Sequence, residues 1–211
     1  MMDVFLTFLP GILAAYAILL VAASSPGPSV ALLLGVGAAQ GRAAAMLTTV
    51  GIAFGSVVLN ALTLAGVGLL LEQAAWAFTA LRVVGAAYLG WLAYGAFRKA
   101  ANPTAVKVRE IGHQTRGRLI LTGFALQVTN PKAIVFWVAI HAVSGIALAP
   151  ASVVAVFFVG AFAISFLCHG AWGVLFSSQA FRAAYAAGRR WIEAALGTFL
   201  AFMAFRLVTE R

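Results

Sequence analysis

The chain has 211 residues, 64% of them hydrophobic and 9% charged, with a mean hydropathy of +1.03 and a formal net charge of +9. Soluble domains are roughly 45–50% apolar and about 25% charged, so a soluble fold is excluded. The apolar runs are long and continuous rather than short and alternating, which excludes a barrel and leaves an all-α polytopic membrane protein. The basic residues fall in the gaps between apolar runs, so the charge reflects membrane topology rather than nucleic-acid binding.

No basic residue precedes the first run, and 4–23 is long enough to span a bilayer. This predicts a retained helix that inserts with its N-terminus outwards. The run continues towards 39 but is interrupted at Ser24-Ser25-Pro26-Gly27-Pro28. Pro26 forces Ser25 out of helical dihedrals, so a broken helix is expected. The second run, 43–71, carries Gly51 and Gly55 in small-xxx-small spacing, then Asn60 and Thr63, with Glu72 at its exit. Small residues at that spacing let a neighbouring helix approach closely. The third run, 76–97, contains Gly85, Tyr88, Gly90, Trp91 and Gly95, which argue for tight packing. A polar basic segment, 98–118, reads as a flexible loop. The fourth run, 119–148, is broken at Thr129-Asn130-Pro131-Lys132 and ended by Pro150. The fifth covers 152–176 and holds Cys168 and His169. A basic hinge with Arg182, Arg189 and Arg190 precedes the sixth, 191–208.

Six spans place ten of the 14 basic residues in the gaps 40–42, 98–118 and 177–190. By the positive-inside rule these are cytoplasmic, and both termini lie outside. The whole of 1–211 reads as one transmembrane domain with halves 1–97 and 119–211. Three helices per half require opposite insertion, as in transporters built from inverted repeats with broken helices near the midplane. Pro26 and Pro131 are 105 positions apart, as are Gly55 and Gly160. Helices one and four would be the broken ones, facing each other across a substrate path.

Lys132 is the sharpest functional candidate. About 13 residues of helix, or ~20 Å, separate it from residue 119, which is deep for a side chain that merely snorkels to the interface. Its cation suits a substrate carboxylate, and intramembrane charge is costly unless used. Asn130 and Pro131 join it, with Ser25, Pro26, Gly27 and Pro28 opposite. Broken helices expose backbone groups that can hold both ends of an amino acid. The competing reading is a kink that serves packing alone. Gly51 and Gly55 read first as packing glycines, and Asn60 equally as path lining or an interhelical hydrogen bond. An unperturbed histidine has a pKa of about 6.5, which makes His169 a candidate proton carrier, though helix packing is the favoured reading. Gln127 and Tyr88 are lesser candidates.

Asp3, Glu72, Glu110, Glu193 and Glu210 all fall at expected helix ends or in loops. A dibasic substrate would want a carboxylate in the membrane, so neutral amino acids are favoured. The single cysteine excludes an intrachain disulfide, and His113, His141 and His169 lack metal-ligand spacing. No Gly-x-x-x-x-Gly-Lys-Ser/Thr motif is present, so ATP hydrolysis by that route is excluded. No cofactor is expected.

In order and spacing, Ser25-Pro26-Gly27-Pro28, the glycine-rich second helix, Gly85-Ala86-Ala87-Tyr88-Leu89 and Thr129-Asn130-Pro131-Lys132-Ala133 resemble the amino-acid exporters of the lysine and homoserine/threonine (LysE/RhtB) type. The chain departs from that pattern at Ser56, at His141-Ala142-Val143-Ser144 and at Ala204. The resemblance implies secondary efflux of amino acids or derivatives across a bacterial inner membrane, by proton exchange, with the proline-bearing motifs taking part. The alternatives are a non-transporting membrane subunit and a passive channel. Partners would be the small-molecule substrate and the bilayer, and the glycines of helices two and three could equally serve a homodimer.

Overall fold

The computed structural model describes residues 2–73, 75–102 and 112–209. Its described elements are seven α-helices and one short 3-10 turn: α1 Met2–Ser24, α2 Pro28–Gln73, α3 Ala75–Ala101, α4 Arg116–Val128, α5 Pro131–Ser144, the turn Ile146–Leu148, α6 Ala151–Phe176 and α7 Gln179–Thr209. No strand occurs among the described residues. Four stretches are long and apolar enough to cross a membrane: 5–24, 28–68, 151–176 and 179–209. The pair α4 and α5, bent by 58° at Thr129-Asn130, supplies a further broken span.

Proline and glycine chemistry sets the breaks. Pro28 and Pro131 each occupy the first helical position, where the missing N–H costs nothing and φ is already helical. Thirteen residues after Pro28, Gly41 has φ 78° and ψ −171°, a conformation open essentially to glycine alone, and α2 kinks there. Fourteen residues after Pro131, Gly145 closes α5 in the left-handed region at φ 65°. Each break therefore launches a short helical arm of about 20 Å that ends on a positive-φ glycine.

Exposed Leu13, Leu62, Trp91, Val159 and Leu167 point outwards, as lipid-facing side chains must in a helical membrane protein. Inside, α3 lies along α7, α2 along both α4 and α6, and α1 against α5 and α6. The α2–α4 crossing is close at three glycines. A Cβ on Gly51 would strike the backbone of Ile120 and Phe124, one on Gly55 would strike Gln127, and one on Gly123 the backbone of Thr48. Close backbone approach is the usual source of helix association where apolar solvent removes the hydrophobic drive.

Several expectations change. The first run is a complete span, α1, followed by a separate arm, because Ser25–Gly27 interrupts it only after 23 helical residues. Of the gap 40–42 only Gly41 leaves the helix. The basic hinge 177–190 is not a loop. Only Ser177 and Ser178 interrupt the chain before α7, whose alanine-rich first turns are strong helix formers. Arg98 and Lys99 belong to the last turn of α3, where cations suit the helix dipole, and Arg116 and Arg118 to α4. The remainder of the expected loop, 103–111, lies outside the described residues. Gly90 and Gly95 make no tight contact, since a side chain built at either meets nothing within 4 Å. Glu193 is not at a helix end: it lies well inside α7 and is only 1% exposed.

Candidate functional site

The two breaks meet. Lys132, on the first turn of α5, turns its ammonium inward to the C-terminal end of α1. It donates to the carbonyls of Ala22 (3.3 Å), Ser25 (3.0 Å) and Pro26 (3.5 Å) and to Ser25 Oγ. A helix C-terminus leaves its last carbonyls without partners and carries partial negative charge, so a cation there meets both needs. α1 has no basic residue of its own in that turn. The Nζ also sits 5.8 Å from the Phe136 ring centroid, within cation–π range. The path to α1 is open because residue 27 is glycine: a Cβ there would lie 3.0 Å from Nζ. The snorkelling alternative for Lys132 is thus replaced by an inward-facing one.

Asn130 sits at the N-cap of α5, its Oδ1 accepting from Lys132 N at 3.1 Å. Its amide begins a buried polar track that links α2, α4 and α6. Asn130 Nδ2 donates to Ser29 Oγ (3.4 Å), and the Ser29 hydroxyl donates to Gln127 Oε1 (2.8 Å). Gln127 Nε2 then donates to Ser56 Oγ (2.9 Å), which also accepts from the Ser165 hydroxyl (3.1 Å). The Ser165 proton is thereby committed, and His169 Nδ1 lies 2.8 Å from the Ser165 carbonyl. A carbonyl only accepts, so Nδ1 carries a proton and, in the neutral ring, Nε2 keeps the lone pair.

Ser25, Ser29, Ser56, Gln127, Asn130, Ser165 and His169 are all buried. With Lys132, Phe136 and Trp137 they line a cavity of about 40 Å³. A water occupies roughly 10–15 Å³ on this measure, so the cavity has room for a few waters. Its electrostatics suit a zwitterion. The N-termini of α5 and of the first arm of α2 bring partial positive charge beside Lys132, and the end of α1 brings partial negative charge.

Of the expected residues, Ser25, Gly27, Pro28, Gln127, Asn130, Lys132 and His169 line this cavity. Pro26 contributes a carbonyl and Pro131 starts the arm. Gly51 and Gly55 stand behind it, seating α4 so that Gln127 reaches inward. Asn60 is buried elsewhere, its carbonyl 3.2 Å from His141 Nε2, and Tyr88 packs on Trp91 with ring centroids 5.4 Å apart. Neither lines the cavity. Ser29 and Ser165 are track members not singled out from the sequence, and Ser56 stands out in it only as a departure from the family pattern. The four-residue spacing of Ser165 and His169 was the available signal, since it puts both on one face of α6.

The fold and this site define a polytopic helical membrane protein with two proline-broken segments meeting around a buried polar pocket. A family model described as LysE type translocator matches residues 20–211, and the chain belongs to that family. A threonine efflux protein of Salmonella typhi is 29% identical over 198 residues, covering 91% of this chain and 94% of that protein. A threonine efflux protein of Escherichia coli is 28% identical over 120 residues, which is 56% of this chain and 58% of that protein's length. A homoserine/homoserine lactone efflux protein of Salmonella typhimurium is 39% identical over 82 residues, 37% of this chain and 38% of that protein. No solved structure matches the chain.

Proposed function

We propose that this chain is a secondary exporter of small neutral amino acids or close derivatives across a bacterial inner membrane, in exchange for protons. The observation that carries the proposal is the internal pairing of Lys132 with the carbonyl end of α1. Lys132 and those carbonyls are a cation and a cluster of acceptors held together across the two breaks. A zwitterion can take both partners: its carboxylate replaces the carbonyls at Lys132, and its ammonium replaces Lys132 at the carbonyls. Binding then opens the pocket by exchanging one set of charged hydrogen bonds for another, so the energetic cost of parting the helices is small. Family membership and relatives named for threonine and homoserine efflux support the substrate class.

The correspondence of Pro28 with Pro131 and of Gly41 with Gly145 supports two inverted halves that rock about the site, with α2 facing α6 and α3 facing α7 on the axis. In that scheme the basic ends of α3 and α7 are cytoplasmic and the termini are outside. His169, at the end of the polar track, is the proposed proton carrier. The test is amino-acid efflux from dipeptide-loaded cells and transport in inverted vesicles, wild type against Lys132→Ala at matched protein levels. Export of a neutral amino acid by wild type alone supports the reading. A wild type that moves none of a broad amino-acid panel overturns it.

A further inference from the structure

On the other side of the Pro26-Gly27-Pro28 turn lies a second cavity, of about 300 Å³, against about 40 Å³ for the central one. Small-molecule sites usually begin near 300 Å³, so of these two cavities it is the second that has substrate size. It opens where α3 ends and α7 begins, at the basic end of the molecule. Its charged lining consists of Lys99, Arg189 and Glu193, beside Tyr185 and Phe176.

Glu193 is the anomaly. It is 1% exposed, yet neither carboxylate oxygen has a hydrogen-bond partner among the described residues. Arg189 Nε approaches Oε1 only to 3.7 Å, although the two are one helical turn apart and could close to the roughly 2.7–2.9 Å of a charged hydrogen bond. A buried carboxylate normally gathers donors, because desolvation without them is costly. Here the acceptors line an amino-acid-sized cavity beside two cations.

We propose that this vestibule is a docking site for zwitterionic amino acids, in which Glu193 receives the α-ammonium and Lys99 and Arg189 the carboxylate. The proposal rests on the export reading and adds its first binding step. An ammonium supplies three donors to oxygens that have none. The substrate then waits against the turn that Lys132 holds from the far side. Glu193 is the single carboxylate among the described side chains, and one carboxylate serves one ammonium. That favours monoamino substrates over dibasic ones.

The test is side-specific kinetics. Inverted vesicles expose the basic face, and right-side-out vesicles the opposite one. Threonine is the probe, with N-acetylthreonine, which lacks the ammonium, as competitor. Glu193→Gln is expected to raise the KM from the basic face at least tenfold, leaving the maximal rate and the KM from the opposite face unchanged. It should also abolish the wild type's preference for threonine over N-acetylthreonine. Lys99→Gln, at an exposed position, should raise the same one-sided KM a few-fold, and carries the test with Glu193→Asp if Glu193→Gln fails to insert. An unchanged KM, or equal rises from both faces, overturns the docking site while leaving the export reading intact. If wild type moves no amino acid from either face, the export reading fails first, and the docking site with it.

Discussion

The central pocket and the basic vestibule share one wall, Gly27 and Pro28 with Val30, but differ in how their polar groups are satisfied. In the pocket, Asn130, Ser29, Gln127 and Ser165 form a hydrogen-bonded chain that converges on Ser56, and the Lys132 ammonium shares its three protons among four acceptors. In the vestibule, the Glu193 oxygens have no hydrogen-bond partner among the described residues. A satisfied network rigidifies and specifies one arrangement, whereas an unsatisfied buried group is a strain that a ligand can relieve. The polar groups of the pocket are therefore matched to one another, and the carboxylate of the vestibule is not. The first arm of α2 separates them, with Ser29 in the polar track and Leu34 among the aromatics Phe176 and Tyr185 on the vestibule side.

The sharpest way to break this contrast is Lys132→Ala. It strands the acceptors at the end of α1, and losing even one charged hydrogen bond of about 1.5–3 kcal/mol lowers transport ~10–100-fold. Efflux at matched protein levels is the readout, and a variant within twofold of wild type would deny the pocket its role. Next comes stability. Gln127→Ala removes one hydrogen-bond partner from each of Ser29 and Ser56 in the pocket and should cost ~1–3 kcal/mol in thermal or denaturant unfolding in detergent. Glu193→Gln should change the same measurement by less than ~1 kcal/mol while impairing transport, the usual trade where a site is strained for function. If both variants destabilise alike, the two cavities do not differ in kind.

Gly41→Ala addresses the arm between them. The new side chain meets no neighbour within 4 Å, so its whole cost is the positive φ, about 1–3 kcal/mol. Reduced stability with an altered transport rate is expected, whereas Gly90→Ala, in regular helix and equally open space, should be neutral or slightly stabilising. The smallest effect is ionic. Lys99 is exposed at the vestibule rim, so the KM change on Lys99→Gln should shrink as salt is raised from 0.05 to about 0.5 M. The Lys132→Ala defect, inside the protein, should not.

The sequence by itself determined the membrane class, the positions of both breaks and the identity of the central cation. Composition, proline and a charge inside an apolar run are local signals, and local signals survive without a fold. It also favoured packing for Gly51 and Gly55, because small-xxx-small spacing needs only helical geometry. What it did not decide is which polar groups share a space. Ser29, Gln127, Ser56 and Ser165 come from three helices and become a track only when α2 packs against both α4 and α6. The helical start of α7 was hidden because hydropathy reports burial in lipid rather than helix formation, and alanine forms helices without being strongly apolar. Glu193 misled for the same reason: its sequence position near a basic cluster read as surface, while packing of α7 against the rest of the bundle buried it beside a cavity. Only tertiary structure could decide that, because burial is a property of neighbours and not of the residue.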